Sequence, residues 1–131
     1  MHLIFGGAYQ GKLNYAKERY QIGNEDIFFC PNGENDSAEP AIDFTKKAIY
    51  GLEDFIFCCM RSGIEAKDYL IANRDKWEDK IFLCTDISSG VVPMDAELRA
   101  WREMVGRTLI YLGKEAEEVT RIFCGLPQKI K

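Results

Sequence analysis

Short apolar runs alternate with stretches of helical periodicity along this sequence. The runs with the length and composition of buried strands are His2–Phe5, Asp26–Cys30, Ile81–Thr85 and Glu118–Cys124. Strands that are separated by helices pair in parallel, and the helices cover both faces of the resulting sheet. We therefore predict a three-layer α/β fold around a mostly parallel sheet of about five strands.

The segment that begins at residue 46 is compatible with two assignments. Residues 46–51 can form a strand that is followed by a helix over Glu53–Ser62. Alternatively, one helix covers Ala48–Met60, because apolar residues recur there at helical spacing. We prefer the strand followed by a helix, since Gly51 interrupts a helix and the acidic residues after it suit a helix N-terminus.

Helical periodicity also predicts three further helices, over Lys12–Tyr20, Glu65–Lys76 and Ala96–Leu112. Gly113 is expected to end the last of them, because glycine is common just beyond a helix terminus. Residues 31–44 are polar and rich in turn-forming residues, which predicts a loop. After the last strand, Gly125–Pro127 is expected to turn the chain into a basic tail.

The composition fits a single globular domain over residues 1–131. Hydrophobic residues make up 47% of the chain and the net charge is −4, so no broad basic face for nucleic acid is expected. No apolar run is long enough to span a membrane, and the first residues lack the apolar core of a signal peptide. We therefore expect a cytoplasmic protein without nucleic-acid partners.

The cysteines and the histidine argue against several kinds of site. The 5 cysteines have no CxxC spacing, so neither a disulfide framework nor a zinc site is expected. They lie in or at the ends of apolar runs, where a free thiol packs as a small apolar group. His2 is the 1 histidine, and its place beside Met1 argues against Cys–His and Ser–His–Asp catalysis.

The most specific motif lies between the first strand and the first helix. It consists of Gly6, Gly7, Ala8, Tyr9, Gln10, Gly11, Lys12 and Leu13. The segment matches the phosphate-binding pattern G-x-x-x-x-G-K, in which backbone N–H groups and a helix N-terminus surround phosphate groups and the lysine adds positive charge. We predict a nucleotide-binding loop here; the alternative is a glycine-rich turn that binds no ligand.

Leu13 departs from this pattern, because the usual Ser or Thr at that position holds Mg²⁺. A magnesium ion would then depend on carboxylates, water and nucleotide oxygens. Asp86 follows a predicted strand and is a candidate metal ligand or catalytic base, and Glu53 is a weaker candidate ligand. Arg107 is a candidate for neutralising phosphate charge. The alternatives are that Asp86 only begins a turn, that Glu53 is only a charge at a helix terminus, and that Arg107 is only a solvated arginine on a helix.

Four segments, in this order, resemble the cobinamide kinase/cobinamide-phosphate guanylyltransferase family of cobalamin biosynthesis. They are FGGAYQGK, SGVVP, WREMVGR and CGLPQKIK. The resemblance covers residues 3–13 and 86–131 and is faint between them. The positions that match the family's motifs are Gly6, Gly11, Lys12, Gly90, Pro93, Gly106 and Arg107, and Asp86 stands where the family has glutamate.

The resemblance implies a RecA-like P-loop NTPase domain that uses ATP or GTP with Mg²⁺. Members phosphorylate a hydroxyl of adenosylcobinamide, a corrinoid, then transfer GMP through a histidine, and they tend to form homo-oligomers. Residues 31–50 contain no histidine, Leu109 and Ile110 replace the family's Asn and Gln, and the chain is shorter than the bifunctional enzymes. We therefore expect kinase-type transfer without guanylyl transfer. The alternatives are a catalytically silent nucleotide- or phosphate-sensing module that acts through a protein partner, and a scaffold that binds only a stray anion.

Overall fold

The computed structural model describes residues 1–32, 39–87 and 95–131. The strands in these ranges are β1 (His2–Gly6), β2 (Ile27–Phe29), β3 (Ala48–Tyr50), β4 (Ile81–Thr85), β5 (Glu118–Phe123) and β6 (Leu126–Lys129). The helices are α1 (Lys12–Tyr20), α2 (Leu52–Arg61), α3 (Ala66–Ala72) and α4 (Ala96–Glu115). Single 3₁₀ turns lie at Asn24–Asp26 and Arg74–Lys76.

The strands form one six-stranded sheet in the order β2-β3-β4-β1-β5-β6. All neighbouring strands are parallel except β5 and β6, which are antiparallel. β1 lies inside the sheet, where Leu3 pairs with Phe82 of β4 and with Val119 of β5. The predicted α/β class and mostly parallel sheet are confirmed, and the sheet has one strand more than expected.

Side chains of the strands alternate between the two faces of the sheet. Both faces carry buried apolar side chains, and helices cover both. On one face, Ile4 and Ile122 are fully buried and belong to the same cluster as Ala16 of α1. On the other face, Leu3 and Phe82 pack in the cluster that contains residues of α2, α3 and α4. The prediction of three layers agrees with this arrangement.

β6 is the strand that the sequence did not predict. Its 4 residues are all exposed and include Pro127, so no apolar alternation marks them as a strand. The chain reverses at Cys124 and Gly125, whose φ angles are 52° and 74°. Pro127 lies on an edge strand, where proline is tolerated because one side of the strand forms no ladder. The turn is therefore confirmed at Gly125, but Leu126–Lys129 form a strand where the rest of the turn and the start of the basic tail were expected.

The middle segment confirms the strand followed by a helix. β3 ends at Tyr50, and α2 begins at Leu52 after Gly51. Gly51 has a φ of 80°, a left-handed conformation that glycine adopts without steric cost. The single helix over Ala48–Met60 is excluded.

Two helix ends differ from the prediction. α4 continues past Gly113 to Glu115, because Leu112 is fully buried and its carbonyl accepts the N–H of Ala116, which outweighs a cost of about 1 kcal/mol for a helical glycine. α3 ends at Ala72 rather than at residue 76. There the indole of Trp77 donates to the carbonyl of Leu70 at 2.8 Å, and the chain continues as a 3₁₀ turn.

The cysteines form no disulfide in the described residues, all five being free. Cys30, Cys59 and Cys84 are buried, as a packing role requires, and Cys58 is half-buried. Cys124 is exposed at the turn between β5 and β6, so the prediction of an apolar packing role is wrong for this residue. No helix in the parts of the chain that the structure describes is long and apolar enough to cross a membrane.

Candidate functional site

The loop between β1 and α1 lies at the carboxyl edge of the sheet, where the parallel strands end. Gly6 closes β1 against β5, and a Cβ at this position would collide with the carbonyl oxygen of Ile122. Gly11 precedes α1 with a φ of 88°, which favours glycine. Both glycines of the motif are therefore required by the backbone path, whatever the loop binds.

The turn between β5 and β6 supports this loop from one side. The N–H of Gly125 donates to the carbonyl oxygen of Gln10 at 2.9 Å. The side-chain oxygen of Gln10 also accepts the N–H of Cys124. These contacts were not predicted, because they depend on the hairpin that β6 forms, and the sequence indicated only a turn at Gly125–Pro127.

Lys12 is buried at the first position of α1, with only 5% of its surface exposed. Its Nζ folds back and donates to the carbonyl oxygen of Gly7 at 2.7 Å. Burial lowers the pKa of Lys12, and the negative charge of Glu53 opposes this effect. The loop thus encloses an ammonium group that has lost much of its water.

A cavity of about 310 Å³ opens beside Lys12. Its walls are residues 8–14 of the loop and first helical turn, Tyr50 at the end of β3 and Thr85 at the end of β4. Tyr9 is fully exposed, with a φ of 58°. Tyr50 and Thr85 were missed, although the sequence singled out Gly51 and Asp86, which directly follow them.

Glu53 lies in the first turn of α2, close enough to Lys12 for their charges to interact. Its Oε1 accepts the N–H of Thr85 at 3.0 Å, and its backbone carbonyl accepts the indole N–H of Trp101 at 2.8 Å. The side chain therefore joins the end of β4 to α2. An oxygen that accepts a backbone N–H is less available to a metal ion.

Asp86 follows β4, and its N–H donates to the carbonyl oxygen of Gly6 at 2.8 Å. This bond places the residue beside the start of the loop. Mg²⁺ is commonly held by one or two carboxylates together with substrate phosphates and water, so a single aspartate here fits that ion. Within the described ranges no group of three His, Cys, Asp or Glu side chains could hold a metal.

Arg107 is not brought to the loop. Its guanidinium lies on α4 and binds both carboxylate oxygens of Glu65, at 3.2 and 3.1 Å. This bidentate contact raises the pKa of Arg107. The arginine therefore joins α4 to the start of α3.

The remaining predicted positions differ in what can be said of them. Leu13 is half-buried and packs against the apolar cluster beneath α1, so no hydroxyl is present at this point of the loop. Gly90 and Pro93 lie outside the described residues. His2, at the start of β1, contacts Tyr20 at 2.7 Å and Glu118 at 3.0 Å, at the end of the strand away from the loop.

No protein-family model matches this sequence, and no curated protein is significantly similar to it.

Proposed function

We propose that this chain binds ATP or GTP at the loop of residues 6–13 and transfers the terminal phosphoryl group to a hydroxyl of an acceptor. The observation that carries the proposal is the buried ammonium of Lys12, which lies inside a glycine loop beside an open cavity. Its present partner is the backbone carbonyl of Gly7. A phosphate oxygen would replace that neutral partner with a charged one, and charge-assisted hydrogen bonds are the stronger ones.

The position of the loop supports the same proposal. The loop joins an interior parallel strand to a helix, and ligands of such sheets bind beyond the carboxyl ends of the strands. The first N–H groups of α1 have no partners within the helix and favour negative charge. The resemblance to the cobinamide kinase/guanylyltransferase family adds the RecA-like P-loop fold and adenosylcobinamide as the acceptor.

The residues of the site would divide the work of phosphoryl transfer. Lys12 would neutralise charge on the terminal phosphates, and the loop N–H groups would orient them for in-line attack. Bound Mg²⁺ would supply further neutralisation of phosphate charge, held by Asp86 together with nucleotide oxygens and water. Glu53 would keep the end of β4 and the start of α2 in place through its contact with Thr85.

A catalytically silent nucleotide sensor is the second candidate function, and Leu13 favours it. The leucine side chain packs with the apolar cluster of α1 and offers no oxygen to an ion. Without that oxygen, the loop would bind phosphate groups but assemble the magnesium site poorly. Such a protein would act through a partner that senses the bound state.

Calorimetric titration with ATP and GTP in the presence of Mg²⁺ tests the proposed binding site. We expect Lys12→Ala to weaken binding by about 10- to 100-fold, because a hydrogen bond to a charged group contributes about 1.5–3 kcal/mol. Lys76→Ala is the matched control, since Lys76 is exposed on a 3₁₀ turn. Binding that is absent in the wild type, or equal in the two variants, would contradict the proposal.

Turnover of adenosylcobinamide separates the kinase from the sensor. We expect the wild type to transfer phosphate slowly and Leu13→Ser to transfer it faster, because the serine hydroxyl restores an oxygen ligand. If the wild type binds nucleotide with no turnover and Leu13→Ser gains activity, the sensor is the correct function. If neither protein turns over the corrinoid, adenosylcobinamide is not the acceptor.

A further inference from the structure

A second cavity lies at the same edge of the sheet, between α2 and residues that follow β2. It has a volume of about 240 Å³. Its apolar walls are Pro31, Pro40, Ala41 and Phe55, and its polar groups include the thiol of Cys58 and the carboxylate of Glu39. This cavity is more apolar than the one beside Lys12, which is lined by Lys12, Asn14 and Thr85 as well as by apolar groups.

Asp54 lies in the first turn of α2, between residues of the chain that line the two cavities. Four residues further along α2, on the same helix face, Cys58 lines the apolar cavity, while Tyr50 before the helix lines the cavity at the loop. Burial raises the pKa of both Tyr50 and Cys58, and a smaller part of each shift comes from the charge of Asp54. Its Oδ2 lies 3.4 Å from the position that a Cβ on Gly51 would occupy.

The carboxylate of Asp54 has no structural task among the described residues. It is half-buried, and neither a hydrogen bond nor an ion pair engages it in the described ranges. Glu53, the adjacent acid, already accepts the N–H of Thr85. A desolvated carboxylate without a partner costs stability, and groups of this kind concentrate at functional sites.

We infer that the apolar cavity binds the apolar segment of the phosphoryl acceptor, and that Asp54 receives the proton of its hydroxyl. The inference rests on the proposed function, because the nucleotide must occupy the loop. The acceptor belongs to the class of alcohols whose hydroxyl adjoins an apolar group small enough for the cavity. Its apolar part would contact Phe55 while the hydroxyl points along α2 towards the loop.

The step balances without any further reactant. The hydroxyl oxygen forms a bond to the terminal phosphorus of the nucleotide, and the bond from that phosphorus to the bridging oxygen breaks. The nucleoside diphosphate leaves with the electron pair of the broken bond. The hydroxyl proton passes to Asp54 and then to water, and the product is a phosphate monoester.

Binding of benzyl alcohol, measured by ligand-observed NMR without nucleotide, tests the cavity. Ala41→Trp fills the cavity from an exposed position and should weaken binding by at least about 10-fold, whereas Ala72→Trp, at the exposed end of α3, should not change it. Equal binding to the wild type and both variants, or no binding to any of them, would overturn the assignment of the cavity. This result does not depend on nucleotide binding.

Asp54→Asn tests the role of the carboxylate in transfer to adenosylcobinamide. We expect kcat to fall by about 100-fold or more, with the KM for the acceptor and the Kd for nucleotide changed by less than about 3-fold. Asp75→Asn, an exposed control, should keep the wild-type kcat. A wild type that binds nucleotide but transfers no phosphate to adenosylcobinamide would refute the proposed acceptor and with it the role of Asp54. An unchanged kcat in Asp54→Asn would refute that role alone. Both results leave nucleotide binding standing. A wild type that binds no nucleotide would refute both proposals.

Discussion

At the scale of single residues, Gly6 shows how a loop motif depends on a distant strand. The residue ends β1 opposite Ile122 of β5, where a Cβ would collide with the backbone carbonyl. At Gly7, the one contact that a Cβ would make with the described residues is with the side chain of Gln10, at 3.5 Å, which is ordinary contact. The two adjacent glycines are therefore under different constraints.

We predict that Gly6→Ala lowers the free energy of unfolding by about 2 kcal/mol, as overpacking in a core commonly does. The backbone of β5 must move to admit the methyl group. Gly7→Ala should change the same quantity by less than about 0.5 kcal/mol. Urea unfolding of both variants measures this difference, and equal losses would show that the approach of β1 to β5 is looser than described.

The sequence predicted part of this site from local spacing. The pattern G-x-x-x-x-G-K placed Gly11 and Lys12 at the start of a helix, and both are there. It could not predict that the ammonium of Lys12 turns back to Gly7, or that Arg107 binds Glu65. Those contacts depend on how helices and strands pack against one another, and the spacing of residues along the chain carries no information about that packing.

At the scale of elements, periodicity was informative where a face is buried and failed where it is exposed. The buried strand β4 and the helix α1 were predicted with the correct limits. β6 was missed, because its residues are all exposed and are held in the sheet by pairing with β5. α4 was predicted too short, since burial of Leu112 overrides the local preference of Gly113.

The hairpin of β5 and β6 contacts the loop directly, because the N–H groups of Cys124 and Gly125 both donate to Gln10. Gln10→Ala removes the side-chain contact to the N–H of Cys124 but keeps the backbone bond to Gly125. We expect a loss of about 1 kcal/mol in the free energy of unfolding, the usual net contribution of one hydrogen bond.

Amide hydrogen exchange locates this effect. The N–H of Cys124 should exchange faster in Gln10→Ala, while amides in β1 keep their wild-type protection relative to global stability. Gln128→Ala, an exposed change on β6, is the matched control. If Cys124 exchanges at the same rate in both variants, the side chain of Gln10 does not hold the hairpin.

At the scale of the whole molecule, the sheet places its desolvated charges at one edge. Lys12 and Asp54 both lie where parallel strands end. Burial lowers the pKa of Lys12 and raises the pKa of Asp54, so it favours the neutral form of each group. Each shift means that burying the charged group lowers the stability of the fold, so selection for stability alone would not keep these charges buried. The alternation of strands and helices predicted that such an edge exists, whereas the burial of Asp54 follows from packing around α2.

The pH dependence of stability measures what one of these charges costs the fold. Burial, and next the charge of Glu53, raise the pKa of Asp54 from 3.8 to about 6. Between these values the folded protein binds more protons than the unfolded chain, so this group makes stability fall as pH rises. The penalty is complete above about pH 6 and absent below 3.8. Solvent screening of this half-exposed group limits it to about 1 kcal/mol.

Asp54→Asn should therefore be more stable than the wild type by about 1 kcal/mol at about pH 7.5, and equally stable at about pH 3.5. Urea unfolding of the nucleotide-free proteins at the two pH values gives both differences. Asp75→Asn should match the wild type at each pH, because Asp75 is exposed. A stabilisation that persists at the lower pH would trace to packing of the amide, and the charge of Asp54 would then cost the fold nothing. A stabilisation confined to the higher pH would mean that the chain keeps, at the carboxyl edge, a carboxylate that its fold would be more stable without.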